Sequence, residues 1–127
     1  MEQISQKNRL VLVIDDEEAV REAVADILQY EGVKVITAVD GENGLTTFNT
    51  YKDDVDLILL DLSMPGMSGA ETYQAIKKID PEVKIIISSG YDEEDAEKTF
   101  LRQGATGFLQ KPYKMNHLVT KVREYLG

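Results

Sequence analysis

The stretch Leu10-Val11-Leu12-Val13-Ile14-Asp15-Asp16-Glu17 decides how the rest of the chain is read. Its apolar residues follow one another without polar alternation, as in a strand whose two faces are both covered. The run then stops at carboxylates. Leu57-Ile58-Leu59-Leu60 stops in the same way at Asp61, Ile85 to Ile87 runs into Ser88 and Ser89, and Thr106 to Leu109 runs into Gln110 and Lys111. A less uniform run, Val33 to Thr37, carries Lys34 and suits a sheet edge. Stretches with helical spacing separate these runs. Such alternation predicts an α/β fold, a doubly wound five-stranded parallel sheet with helices on both faces. Open sheets of this kind bind ligands outside the carboxyl ends of their strands. Asp15, Asp16, Asp61, the Ser89 hydroxyl and the Lys111 ammonium would meet at that edge.

The intervening segments carry their own signals. Val20, Ala23, Val24, Ile27 and Leu28 fall on one helical face, and Gly32 supplies a stop just beyond. Ser68 and Glu71 form an S-x-x-E capping box ahead of Tyr73, Ala75, Ile76 and Ile79, with Pro81 closing the segment. Leu118, Val122 and Leu126 make an apolar stripe on the last helix. A helix from Asn43 to Lys52 is expected with less support, because Gly44, Thr46, Thr47 and Thr50 lower its propensity. The acidic segment from Asp92 to Leu101 reads as a loosely anchored helix, since only Ala96, Phe100 and Leu101 offer apolar contact.

The 127 residues suit a single domain, residues 1–127, with 1–8 as a flexible N-terminal segment. No repeat or linker interrupts it. No stretch has the apolar length of a membrane span, and Met1 to Asn8 lacks the apolar region of a secretory signal, so the expected location is cytoplasmic. With no cysteine, thiolate metal sites and cysteine nucleophiles are excluded, and oxygen ligands remain. Lys and Arg number 14 against 23 Asp and Glu; the net charge of −9 disfavours direct contact with nucleic acid or an anionic membrane.

Two like charges about 4 Å apart repel by roughly 4 kcal/mol at an effective dielectric near 20, so three aspartates at one edge call for a cation. Mg²⁺ suits them: it takes oxygen ligands, and it commonly binds through one or two carboxylates, waters and a phosphate. No D-x-D-x-D-G loop for Ca²⁺ is present. Taken singly, the acid run Asp15 to Glu18 reads as a helix cap, Lys111 as a surface lysine, Ser89 as a turn residue and His117 as a surface histidine. Their conjunction points to phosphoryl transfer, in which positioning and charge neutralisation dominate. Asp61 is the best nucleophile, because the loop Leu62-Ser63-Met64-Pro65-Gly66 that follows leaves it accessible.

The combination Ile14-Asp15-Asp16-Glu17, Asp61-Leu62-Ser63-Met64-Pro65-Gly66-Met67-Ser68-Gly69, Ser88-Ser89-Gly90-Tyr91 and Lys111-Pro112 resembles the response-regulator receiver domain from Arg9 to Leu126. The resemblance implies a flavodoxin-like strand order 2-1-3-4-5. It implies Asp61 as phosphoacceptor, Asp16 as direct Mg²⁺ ligand, Asp15 as its acidic partner acting largely through water, and the Ser63 carbonyl as backbone ligand. Ser89 and Lys111 would contact the phosphoryl group, and the Lys111-Pro112 bond would be cis, a form that X-Pro bonds tolerate. Ser89 and Phe108 would carry a switch that reshapes the face made by segment 92–101, the strand ending at Leu109 and the last helix. Ser89 stands where threonine is commoner and Phe108 where tyrosine is, while Ser63 and Tyr91 occupy positions that tune phosphoryl lifetime in the family.

The implied phosphodonor is a histidine kinase or a histidine phosphotransfer domain. If the chain is part of a hybrid sensor kinase, whose receivers it resembles most, the donor domains are intramolecular. The receiver would act as no enzyme beyond promoting its own phosphorylation and dephosphorylation. From other classes, an aspartate-nucleophile phosphohydrolase would want D-x-D after the first strand and a cap over its substrate. A flavodoxin-like FMN module would want a Ser/Thr/Gly cradle where Asp15 to Glu18 stand.

Overall fold

In a computed structural model, residues 9–64, 66, 68–90, 102 and 104–126 are described. Five parallel strands form one sheet: β1 (Leu10–Ile14), β2 (Lys34–Ala38), β3 (Leu57–Asp61), β4 (Ile85–Ser89) and β5 (Gly107–Gln110), in the order β2-β1-β3-β4-β5. Helices α1 (Glu18–Tyr30), α2 (Gly41–Tyr51), α3 (Gly69–Ile79) and α4 (Met115–Leu126) cover its faces. The helix expected between Asp92 and Leu101 lies outside the described residues, as do Pro65, Met67 and Tyr91.

Side chains on a strand alternate between faces, so each continuous apolar run feeds two cores. Leu12, Ile14, Ile58, Leu60, Ile85 and Ile87 pack with Phe48 of α2 and with Tyr73 and Ile76 of α3. Val11, Val13, Leu57, Leu59 and Ile86 pack with Val24 and Leu28 of α1 and with Leu118, Val122 and Leu126 of α4. Every residue of β3 and β4 is buried, whereas β2, with its exposed Lys34, lies at the edge that its composition predicts. Full burial of one such side chain contributes about 1.5–3 kcal/mol, so the two cores fix the strand register firmly.

Local chemistry sets the helix ends. The Ser68 hydroxyl accepts from the Glu71 N–H at 3.1 Å while the Glu71 carboxylate accepts from the Ser68 N–H at 3.0 Å, the reciprocal box that the sequence predicts. Gly32 has φ +87°, which ends α1 in the left-handed region that glycine adopts without penalty. α2 begins at Gly41, two residues ahead of the expected Asn43, because the Asp40 carboxylate caps it by accepting from the Asn43 N–H at 2.8 Å. Gly44, which weakens α2 on propensity, has a packing reason. A Cβ there would lie 2.6 Å from the Ile14 δ-methyl, so its absence lets α2 lie close against β1.

Candidate functional site

The parallel register carries chemistry-bearing residues from four strand ends to one edge. Asp61 is the last residue of β3 and faces Ser88 across the β3–β4 pair, and Ser89 faces Gln110 across β4–β5. The Lys111 N–H donates to the Ser89 carbonyl at 2.7 Å, which brings the lysine beside Asp61 just beyond β5. Asp15 follows β1, its N–H donating to the Ala38 carbonyl at 3.2 Å. The Lys111-Pro112 bond is cis.

Asp15 and Asp61 are each 1 % exposed, Asp16 is exposed, and carboxylate oxygens of all three lie within 4.8 Å of one another. The Lys111 ammonium reaches them from the side. It donates to Asp15 Oδ2 and to Glu17 Oε1, both at 3.0 Å, and pairs with Asp61 Oδ2 at 3.3 Å. Asp61 Oδ1 accepts the Ser63 N–H at 3.0 Å, and Asp15 Oδ1 accepts the Glu17 N–H at 2.9 Å. The Arg21 guanidinium donates to the Asp15 carbonyl at 2.8 Å. A cleft of about 380 Å³ lined by Glu17, Val20, Asp61, Ser63, Gly90, Lys111 and Pro112 opens from this cluster to solvent.

Burial dominates the electrostatics of Asp61. It pushes the carboxyl up from 3.8 to about 6, and Asp15 adds to the rise; the Ser63 N–H and Lys111 oppose it. Lys111 is held well above its ordinary value: burial acts to lower it, but hydrogen bonds to Glu17 and Asp15 and the charges of Asp15 and Asp61 outweigh that. One ammonium does not neutralise Asp15, Asp16, Glu17 and Asp61 together. Asp61 Oδ2 is buried, has its ion pair with Lys111 and no hydrogen bond, and the buried Ser89 hydroxyl has no partner among the described residues. Hard oxygen donors with surplus negative charge and an unfilled buried oxygen fit a divalent cation such as Mg²⁺. An unpaired hydroxyl nearby fits an incoming oxyanion.

Of the residues singled out from sequence, Asp15, Asp16, Asp61 and Lys111 come together here, and Ser63 is present through its backbone. Phe108 is half-buried and packs against the core on the α2/α3 side. His117 is exposed. Two participants went unrecognised. Glu17 shares the Lys111 ammonium, and its place in the run Asp15-Asp16-Glu17 was the available signal. Tyr113 packs in the α1/α4 core, where burial raises its ionisation and its phenol feels the charges of Asp15, Lys111 and Asp61.

Comparison with known proteins places the chain's fold and sequence in a family. The family model of the response regulator receiver domain matches residues 11–123. The chain is 30% identical over 119 residues to sporulation initiation phosphotransferase F of Bacillus subtilis, covering 94% of both chains. It is 32% identical to the chemotaxis protein CheY of Treponema pallidum, covering 91% of this chain and 81% of that protein. It is 34% identical to the sensor kinase CckA of Brucella abortus, covering 91% of this chain but only 12% of the kinase. A receiver domain protein from Clostridium thermocellum superposes with a TM-score of 0.88 at 30% identity, covering 93% of this chain and 94% of that one. CheY in a CheX-CheY-BeF3-Mg complex from Borrelia burgdorferi gives 0.88 at 28% identity, covering 93% and 89%.

The chain therefore belongs to the response regulator receiver family, the phosphoacceptor signalling domains of two-component systems. It spans nearly the whole of some relatives and a small part of the multidomain ones. This membership sets aside the phosphohydrolase and FMN readings, in keeping with the carboxylates after β1. No helix among the described residues is long and apolar enough to cross a membrane.

Proposed function

We propose that this receiver accepts a phosphoryl group on Asp61 from a phosphohistidine of a histidine kinase or histidine phosphotransfer domain. A P–O bond to the Asp61 carboxylate forms as the P–N bond to the donor imidazole breaks, and that imidazole leaves neutral once it takes up a proton. The observation that carries this reading is the environment of Asp61: buried, short of hydrogen bonds on Oδ2, beside the Lys111 ammonium and open to a cleft. Asp15, Asp16, Asp61 and the Ser63 carbonyl would hold Mg²⁺, which supplies charge neutralisation for the carboxylates and the arriving phosphoryl oxygens. Lys111 stabilises charge on those oxygens, and the Ser89 hydroxyl donates to one of them. Drawing Ser89 toward the phosphoryl group lets Phe108 move inward and changes the face to which β5 and α4 contribute.

The acidic surface favours a protein donor over nucleic acid or membrane, and the kinship with CckA supports donor domains in the same polypeptide as one context. A cytoplasmic setting follows from such donors. Intact-mass measurement after treatment with acetyl phosphate tests the assignment. The chain should gain one phosphoryl group with Mg²⁺ present, lose that gain with a chelator, and show none as Asp61→Asn. An equal gain in Asp61→Asn would overturn it.

A further inference from the structure

Glu17 stands at the N-cap position of α1, where a side-chain oxygen commonly accepts from the free N–H groups of the first turn. Its side chain makes no such bond. It reaches instead across the sheet edge to Lys111, with Oε1 accepting from the ammonium at 3.0 Å, while the Glu17 main-chain N–H donates to Asp15 Oδ1 at 2.9 Å. The three carboxylates around that ammonium are not equivalent. Those of Asp15 and Asp61 are 2 % and 1 % exposed and are held by the N–H groups of Glu17 and Ser63, so both are fixed. The Glu17 side chain is 61 % exposed, and among the described residues its carboxylate has no partner besides Lys111. Water can replace the ammonium there at little cost.

The consequence concerns the donors of Lys111. An ammonium has three N–H bonds; Asp15 and Glu17 each accept one at 3.0 Å, and Asp61 Oδ2 draws on the same group from 3.3 Å. A phosphoryl oxygen entering the cleft that Glu17, Asp61 and Lys111 line together must take a donor already in use, and it meets the Glu17 charge at the same mouth. We propose that Glu17 is the partner that gives way: its carboxylate holds the ammonium donor that an arriving phosphoryl oxygen needs, so that Glu17, acting through Lys111, restrains phosphoryl acceptance at Asp61. This rests on the role proposed for Asp61.

Glu17→Gln keeps the length of the side chain and the main-chain bond to Asp15, and removes the charge. With Mg²⁺ saturating, this variant should bind beryllofluoride, a stand-in for the phosphoryl group, about 2- to 5-fold more tightly than wild type, the scale of an exposed ion pair. Its phosphorylation by acetyl phosphate should be faster by a like factor. At about 1 M salt, where the screening length is about 3 Å, variant and wild type should converge. A merely structural role for Glu17 would not track ionic strength in this way. Equal or weaker beryllofluoride binding by Glu17→Gln at low salt, or a gain that persists undiminished at high salt, would overturn the proposal. If the wild type takes no phosphoryl group at Asp61, the role of Asp61 fails, and a titration with inorganic phosphate judges Glu17 by itself. The side-chain resonance of Lys111 should then respond at lower phosphate concentration in Glu17→Gln, and an equal response overturns the competition.

Discussion

Strand β3 begins beside one aspartate and ends on another, and the two meet opposite fates. Asp56, just ahead of Leu57, is half-buried at the amino edge of the sheet; its Oδ2 accepts the Leu10 N–H at 2.9 Å while its N–H donates to the Leu10 carbonyl at 2.9 Å. Thr106 repeats the arrangement at that edge, with Oγ1 accepting from Ile85 at 3.0 Å and its N–H donating to the Ile85 carbonyl at 2.8 Å. At the carboxyl edge, Asp61 Oδ2 and Ser89 Oγ are buried with no hydrogen bond among the described residues, and three carboxylates share one ammonium with Asp16 beside them. Asp56 and Thr106 at the first edge complete the fold, whereas Asp61 and Ser89 at the second leave bonds open for a ligand. Buried unpaired groups are costly; among the described residues two such side-chain atoms stand together beside the acid cluster, and the third, Arg9 Nε, lies apart at the amino edge with no carboxylate cluster around it.

The same substitution at the two edges should separate them. Asp61→Asn is expected to abolish phosphoryl acceptance, while Asp56→Asn, which keeps an acceptor oxygen for Leu10, should accept at the wild-type rate. Paired acetyl phosphate reactions followed by mass read both at once. Loss in Asp56→Asn with retention in Asp61→Asn would reverse the assignment of the edges.

Stability should respond to pH at one edge. Because the folded Asp61 has its pKa raised from 3.8 to about 6, ionising it disfavours the fold. No cost is felt below 3.8, it grows as pH rises toward about 6, and it is constant above. Asp61→Asn should therefore be more stable than wild type by roughly 2–3 kcal/mol at neutral pH with a chelator present, and equal to it near pH 3.5. Urea titrations across that range check the sign, and added Mg²⁺ should narrow the gap by stabilising the wild type.

Much of this contrast was legible in the chain. Continuous apolar runs revealed buried parallel strands, and the acids and lysine closing them marked one edge, because strand ends in a parallel sheet fall together whatever the connecting lengths. The Ser68–Glu71 box and Gly32 were readable since their causes are local. What escaped needed the register. Nothing local says that Tyr113 comes within reach of the Asp15 and Asp61 charges, that Glu17 shares Lys111, or that Gly44 makes room for Ile14 across the α2–β1 contact. The start of α2 was misplaced because propensity was weighed ahead of the Asp40 cap.

Gly69 joins stability to site geometry. It is the first residue of α3, and a Cβ there would fall 2.4 Å from Leu62 Cα and 2.8 Å from the Asp61 carbonyl, both backbone atoms that cannot rotate away. Gly69→Ala should destabilise by roughly 1–3 kcal/mol through overpacking. It should also slow phosphoryl acceptance, since the displaced peptide is the one following the acceptor. A destabilised variant with an unaltered rate per folded molecule would show that the loop yields without moving Asp61.

The smallest effect belongs to the amino edge. Asp56→Ala leaves the Leu10 N–H without its acceptor at a half-buried position where water reaches in part. A loss of about 1–2 kcal/mol is expected, seen as a lower urea midpoint with an unchanged slope. Because the Asp56 N–H still donates to Leu10, the β1–β3 register should survive, and with it the approach of Asp15 to Asp61. Phosphorylation measured on the folded fraction should then match wild type. If it falls while Asp56→Asn is normal, the amino-edge pair is setting the register that assembles the acid cluster, and the two edges are not independent.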